Sequence, residues 1–442
     1  MAWFECMEIK TFSEAIEYLE SLPFNKNRNR GTGLNRMHAL LGLMGNPQNA
    51  YPTVHIGGTA GKGSTSTMIA SMLMSSGYKV GLHISPHLED MRERAQVNLG
   101  LMPKHAFVTL VNKVAMYSKQ LSSSGDFGLP TYFEALLAIC FQHFKDEAVE
   151  IGIIEVGLGG KYDGTNVINP EVAVITNVGL DHTEILGDTI EEIAADKSGI
   201  IKSGITVISG VKQPSVVKIL QEKSKSKKAC LMLLGSDISY KIKNESEGMV
   251  FDFEMNNIHY KDLTMHILGE HQVANASLAI STVLELKRSG FEVSEDAIRA
   301  GLLNLKIPGR FEVVMRDPEV ILDGAHNPMK MDALVKTLKR HLKGRRLRII
   351  FAAKKGKNVT EMIAKLEEIS SKFYFTTFEA NTDFGKRMSY SLEDLTSISV
   401  PSESFRDFDH AWEKATNDSS EDEVICITGS LYLVGESRSK LL

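Results

Sequence analysis

The strongest constraint on this chain is a glycine-rich turn, Gly57-Gly58-Thr59-Ala60-Gly61-Lys62-Gly63-Ser64, set between a short apolar run and an amphipathic stretch. Val54-His55-Ile56 before the turn reads as a strand. After it, Met68, Ile69, Met72 and Leu73 fall on one helical face that stops near Gly77. In that setting backbone N–H groups curl around phosphate oxygens at the positive end of a helix, and Lys62 reaches the β- and γ-phosphates. A glycine-rich turn without a ligand is the alternative; the flanking strand and helix, with a lysine at the helix start, favour the phosphate loop. One residue departs from the usual loop pattern, because Gly63 separates Lys62 from the hydroxyl of Ser64.

Further runs at 80–84, 151–154, 172–175 and 206–208 are apolar on both faces, as strands of a helix-covered parallel sheet are. A helical pattern at 132–144 lies between two of them, so the alternation implies right-handed βαβ units. Residues 238–265 alternate apolar and polar positions, as in Val250-Phe251-Asp252-Phe253-Glu254-Met255, which predicts a small antiparallel sheet; 278–286 then reads as a helix. Pro308-Gly309 breaks the pattern, and a second α/β alternation follows at 320–322, 348–351, 373–375 and 424–427. The expected fold is therefore α/β: a P-loop-containing, mostly parallel sheet domain with a small antiparallel sheet over 1–307, then a Rossmann-like α/β domain over 308–442. A length of 442 residues suits two domains. The Lys/Ser-rich run at 223–228 reads as solvated.

A net charge of −5 argues against a broad nucleic-acid-binding surface but leaves room for a local basic pocket. Cys6, Cys140, Cys230 and Cys426 form no CxxC pair, so neither a zinc site nor a disulfide framework is expected, and a reducing cytoplasm is the expected location. Glu5 and Glu8 stand where a signal peptide would be basic and then apolar, and no uncharged apolar run approaches the ~20 residues of a membrane span.

Three strand ends carry candidate ligands beside the phosphate loop. Glu155 ends the third run, at the carboxyl edge where ligands bind in such folds, and a carboxylate there suits magnesium. His182 follows the fourth run and Ser85 the second. Each also has a structural reading, as an ion pair, a satisfied histidine or a cap.

A set of motifs, in order along almost the whole chain, resembles the folylpolyglutamate synthase/dihydrofolate synthase family of the Mur-ligase superfamily. They include GTAGKGS at 58–64, Ser85-Pro86-His87-Leu88, Glu155-Val156-Gly157-Leu158-Gly159-Gly160, LDHTEILG at 180–187, DKSGIIK at 196–202, Pro308-Gly309-Arg310-Phe311-Glu312, DGAHNP at 323–328 and GSLYLVGE at 429–436. The inserted Gly63 is typical of that family's loop. The resemblance implies a ligase that uses ATP and magnesium (Mg2+) to join L-glutamate to a folate carboxylate through an acyl phosphate, with dihydropteroate as a second acceptor. It implies that Gly58, Thr59, Gly61, Lys62, Gly63 and Ser64, with Asn275, Arg310 and Asp323, hold ATP. By the same resemblance Ser64, Ser85, Glu155 and His182 hold the metal. Thr131, Tyr132, Phe133, Glu134, Tyr162, Asp163 and Gly164 line the pterin site, and Lys62, Lys197 and His326 are catalytic. Lys197 matches a lysine carbamylated in relatives; by its neighbours alone it reads as a surface lysine ending an amphipathic helix. Ala60 stands where Asn is common in the family, Lys161-Tyr162-Asp163-Gly164 where Arg-Leu-Asp-Ala is frequent, and Lys354-Lys355-Gly356-Lys357-Asn358 where a Lys-Asp pair often occurs. A monomer without nucleic-acid or membrane partners is expected. A related cell-wall ligase, and a nucleotide-dependent switch that ligates nothing, are the alternatives.

Overall fold

The structure is a computed structural model that describes residues 8–24, 30–245, 248–383, 385–391, 399–420 and 422–442; Glu5 and Cys6 lie outside them. Among the described residues the first sheet has seven strands in the order Gln96–Val97, Val80–His83, Ile151–Glu155, Thr53–Gly57, Val172–Ile175, Thr206–Ser209 and Cys230–Leu233. All neighbours pair in parallel except the edge pair Gln96–Val97 with Val80–His83. The central strands are buried throughout, as their two-faced apolar sequences require. Helices cover both faces. Lys62–Ser75, Glu270–Glu285 and Glu295–Leu303 close one apolar core, while Phe12–Ser21, Lys104–Ser123 and Tyr132–Asp146 close the other.

Three departures from the sequence reading have physical causes. The helix Lys62–Ser75 is not buried on one face only: Ser64 through Leu73 are all buried, because neighbouring helices cover the side facing away from the sheet. Its small hydroxyl residues allow that close approach, and Ser71 Oγ donates to the Gly301 carbonyl at 2.7 Å. The helix expected at 278–286 begins at Glu270, its first turns being too polar to show an apolar stripe. The sequence pattern marks neither edge strand of the first sheet, Gln96–Val97 and Cys230–Leu233; the first is two residues long and the second is half exposed.

The alternating stretch at 238–265 forms a three-stranded antiparallel sheet, Ile238–Asn244, Met249–Met255 and Ile258–Met265. Phe251, Phe253, Met255, Leu263 and Met265 turn inward onto the first core. The second sheet runs Glu312–Arg316, Glu319–Leu322, Val424–Thr428, Leu347–Phe351, Lys372–Phe375 and Ser402–Ser404, parallel after its first pair. Ile321, Ile349, Phe351 and Cys426 enter one core and Val320, Leu322, Ile350 and Ile427 the other, the period-two division of a sheet covered on both faces.

The two sheets' layers meet closely. A Cβ added at Gly435, in the helix Leu431–Leu441, would lie 2.0 Å from the Leu88 carbonyl oxygen. One turn on, Arg438 binds Glu89 at 2.8 Å and Glu312 at 3.0 Å. No described helix is long and apolar enough to cross a membrane.

Candidate active site

The phosphate loop leaves strand Thr53–Gly57 with backbone angles that favour glycine: φ is +145° at Gly58 and +79° at Gly61. Space is equally restrictive, since a Cβ at Gly58 would sit 1.9 Å from Thr176 Oγ1 and one at Gly61 2.4 Å from Asn275 Oδ1. The loop is held from outside. Thr176 Oγ1 and Asn177 Nδ2 donate to the Ala60 carbonyl at 2.6 and 3.0 Å, and Ala60 N donates to Asn177 Oδ1 at 2.8 Å. Gly61 caps the following helix without a side-chain bond, so the first-turn amides are left for an anion. This cradle, which any side chain would fill, fits a nucleotide triphosphate.

Around the cradle stand the strand-end residues. Lys62 Nζ lies 3.7 Å from Glu155 Oε1, and Ser85 N donates to Glu155 Oε2 at 3.1 Å. Burial pushes the Glu155 carboxyl above its usual range, and Lys62 opposes that push. Ser64, in the first turn of the same helix as Lys62, is buried. Burial lowers the His182 imidazole to about 4, which leaves it neutral and able to ligate a metal. Among the described residues no group of three or more His, Cys, Asp and Glu could hold a metal ion. A carboxylate such as Glu155, with hydroxyl and phosphate oxygens, is a donor set that would suit magnesium.

Lys197 is not the surface residue its neighbours suggest. It is 3% exposed, and its Nζ donates to the Gly58 carbonyl at 3.0 Å. Burial, then the field of Lys62, lowers its amine to about 7.

The second sheet contributes from the opposite side. Asp323 is fully engaged by the backbone, accepting from Phe311 N and Ala325 N at 2.9 Å each. Arg310 Nη1 donates to the Gly309 carbonyl at 3.1 Å, and Asn275 Nδ2 to Gln272 Oε1 at 3.0 Å. Arg310→Ala is therefore expected to lower turnover while leaving the melting temperature near the parent's. Asp323→Ala should lower both, because it frees the amide of Ala325, next to His326, and that of Phe311, next to Arg310; paired thermal melts and rate assays check the split.

Residues that sequence reasoning did not single out tie the halves together. Asp181, next to His182, accepts from Lys357 Nζ at 2.7 Å and Asn327 Nδ2 at 3.0 Å. Burial works to raise the Asp181 carboxyl, but Lys357 and the neighbouring histidines outweigh it and hold it well below the carboxylate range. Lys330 Nζ lies 3.0 Å from His326 Nε2. The motifs contained Asp181 and Asn327, but only the fold shows them facing each other.

Between the halves lies a cavity of about 250 Å3 lined in part by Ser85, His182, His326 and Tyr432. Thr131, Phe133, Glu134, Tyr162, Asp163 and Gly164 reach it; Tyr132 does not. The Tyr132 ring is 1% exposed and packs under the Arg94 guanidinium, because consecutive helical residues point in different directions. Thr131 and Glu134 form a capping box for the helix Tyr132–Asp146, and Arg36 grips Glu134 at 2.7 and 2.9 Å. Asp163 accepts from Leu158 N and Thr165 N at 2.9 Å each, and burial raises its carboxyl. These two carboxylates shape the cavity wall.

Comparison with known proteins resolves the identity of this two-sided cleft. Residues 56–283 match the Mur ligase middle domain and 309–431 the Mur ligase, glutamate ligase domain. The dihydrofolate synthase/folylpolyglutamate synthase of Bacillus subtilis is 35% identical over 413 residues, covering 92% of this chain and 95% of its own. The chain belongs to the folylpolyglutamate synthase family. It is thus an ATP-dependent ligase of folate metabolism that forms a carbon–nitrogen amide bond. Among solved structures, the family's Mycobacterium tuberculosis folylpolyglutamate synthase complexed with ADP superposes with a TM-score of 0.88 at 28% identity, covering 98% of this chain and 99% of that one. E. coli FolC in complex with DHPP and ADP gives 0.86 at 28% identity, with 99% of each chain covered.

Proposed function

We propose that the cleft adds L-glutamate to the γ-carboxylate of tetrahydrofolates and, as a second activity, to dihydropteroate. The observation that carries this reading is a cavity lined by Phe133, Tyr162, Tyr432, His182 and His326, whose Ser85 is joined through Glu155 to Lys62 of the phosphate loop. ATP is a substrate here. Its γ-phosphoryl group passes to the acceptor carboxylate to give an acyl phosphate, the glutamate amine attacks that carbonyl, and phosphate leaves from the tetrahedral intermediate.

Lys62 and the amides of Gly61, Gly63 and Ser64 hold the phosphates, while Gly58 and Thr59 shape the loop and Asn275 braces Gly61. Arg310 and the Asp323 loop bring charge and His326 from the other side. Ser64, Ser85, Glu155 and His182 would hold magnesium, which when bound would neutralise phosphate charge. Lys197, as a carbamate, adds a carboxylate beside them. Thr131, Phe133, Glu134, Tyr162, Asp163 and Gly164 receive the pterin, and Tyr132 supports them from the core. Water excluded from the closed cleft spares the acyl phosphate from hydrolysis. The division at 307/308, a monomeric state and a cytoplasmic location belong to the same reading.

Glutamate-dependent ADP release with tetrahydrofolate and with dihydropteroate, compared side by side, tests it. Both acceptors should support release; release with neither would overturn the reading. Glu155→Ala and His182→Ala should each raise the magnesium concentration for half-maximal rate by roughly tenfold or more. Unchanged magnesium curves in both variants would assign these residues to structure alone.

A further inference from the structure

We propose that Lys330 is a catalytic residue that contacts the terminal phosphoryl group of the nucleotide. The proposal rests on the nucleotide site described above and adds a cation that none of the sequence motifs marked.

Lys330 occupies the first turn of the helix Pro328–Leu342, where Asn327 Oδ1 accepts from its backbone N–H at 2.9 Å. Its position is fixed twice over. The backbone is held by that cap, and the ammonium lies 3.0 Å from His326 Nε2. His326 Nδ1 is 2.8 Å from the Gly324 carbonyl, so Nδ1 carries the proton and Nε2 is the acceptor that faces Lys330.

Both signs of charge face this ammonium: Lys62, Arg310 and Lys357 disfavour it, and Asp181 favours it. Burial disfavours its charge, the fields of Lys62 and Arg310 add to that, and together they bring it down to about 7. The carboxylates of the cleft are taken by other groups: Asp181 by Lys357 and Asn327, Asp323 by two backbone amides, Glu155 by Lys62 and Ser85 N. Among the described residues no carboxylate forms an ion pair with Lys330. The cations Lys62, Arg310, Lys330 and Lys357 outnumber the carboxylates Glu155, Asp181 and Asp323 that act on them, and an excess of positive charge in a cleft marks a site that receives an anion.

The direction of approach selects the phosphoryl group. Lys62 and the loop amides come from the first sheet and take the body of the triphosphate. Lys330 comes from the second sheet, one helical turn from His326, which lines the cavity where the acceptor binds. A cation there meets the phosphoryl group lying between the loop and the acceptor, which is the one transferred. The amine donates hydrogen bonds to its oxygens as charge builds on them.

Binding of ADP and of the non-hydrolysable analogue AMPPCP to the parent, Lys330→Met and Lys330→Arg tests this. Methionine keeps the volume without the charge. In Lys330→Met, AMPPCP affinity should fall about tenfold while ADP affinity stays within about twofold, and arginine should restore most of the loss. Turnover of Lys330→Met should fall roughly 100-fold with an unchanged thermal melt. Equal weakening of both nucleotides would reduce Lys330 to a general electrostatic contribution and overturn the proposal. So would unchanged binding of both, including the case of unchanged binding with a raised KM for glutamate, which would assign the ammonium to that substrate's carboxylate. If the parent itself binds neither nucleotide, the nucleotide site fails and this inference falls with it; if the parent binds and Lys330→Met is unaltered, only this inference fails.

Discussion

Lys62→Ala is expected to reduce turnover at least 100- to 1,000-fold, the usual cost of losing a donor aimed at charge that develops in the transition state. The fold should survive. The side chain is 16% exposed, and its ion pair with Glu155 is long at 3.7 Å. The loss should also spread to two neighbours whose protonation Lys62 controls. Without it, the Glu155 carboxyl moves further up, since Lys62 is the main influence opposing burial there. The Lys197 amine moves up as well, because Lys62 is the cation that helps burial to lower it. Both changes weaken the metal site, so raising the magnesium concentration should recover that part of the loss but not the part due to the missing phosphate contact. A variant within tenfold of the parent would remove Lys62 from the chemistry.

Lys197→Ala is expected to be nearly inactive, and the reason is a covalent change. Carbon dioxide reacts only with a neutral amine: the nitrogen lone pair bonds to the carbon, a proton leaves, and a carbamate carboxylate results. An ordinary lysine is almost wholly protonated at neutral pH, whereas burial and Lys62 bring this one to about 7. The neutral fraction, and with it carbamate formation, rises as pH passes upward through that value. Activity should therefore fall below about pH 7 and recover on adding bicarbonate. The parent labelled with carbon-13 bicarbonate should show a carbamate resonance that Lys197→Ala lacks. A fully active alanine variant, or equal signals from both proteins, would count against the modification.

Lys197 also shows what a sequence can and cannot convey. By local pattern it ends a helix of mixed polarity, where a lysine is at home in solvent. Its burial comes from packing across the chain: the backbone around Lys197 comes within 3.0 Å of where a Cβ on Gly160 would stand, and its amine is directed at the Gly58 carbonyl. No local period encodes that contact. The phosphate loop was legible because glycine, lysine, strand and helix occur within twelve residues, and the strand at 172–175 because its apolar run has two buried faces. The start of the helix Glu270–Glu285 was not, since Gln272 and Asn275 face the loop and interrupt the apolar stripe. The family resemblance puts Tyr132 in the cavity with its neighbours, but a helix turns consecutive side chains about 100° apart and sends this one to the core. Asp181, Asn327 and Lys357 are invisible as a group in the sequence because Asp181 lies 146 residues from Asn327 and 176 from Lys357.

The central claim, ligation driven by ATP cleavage at the γ-phosphate, is tested most directly by counting nucleotide products. The purified chain, with ATP and magnesium, should release ADP and phosphate only when a folate acceptor and L-glutamate are both present, with one ADP for each amide formed. Release of AMP, or ATP hydrolysis at the same rate without either substrate, would contradict it.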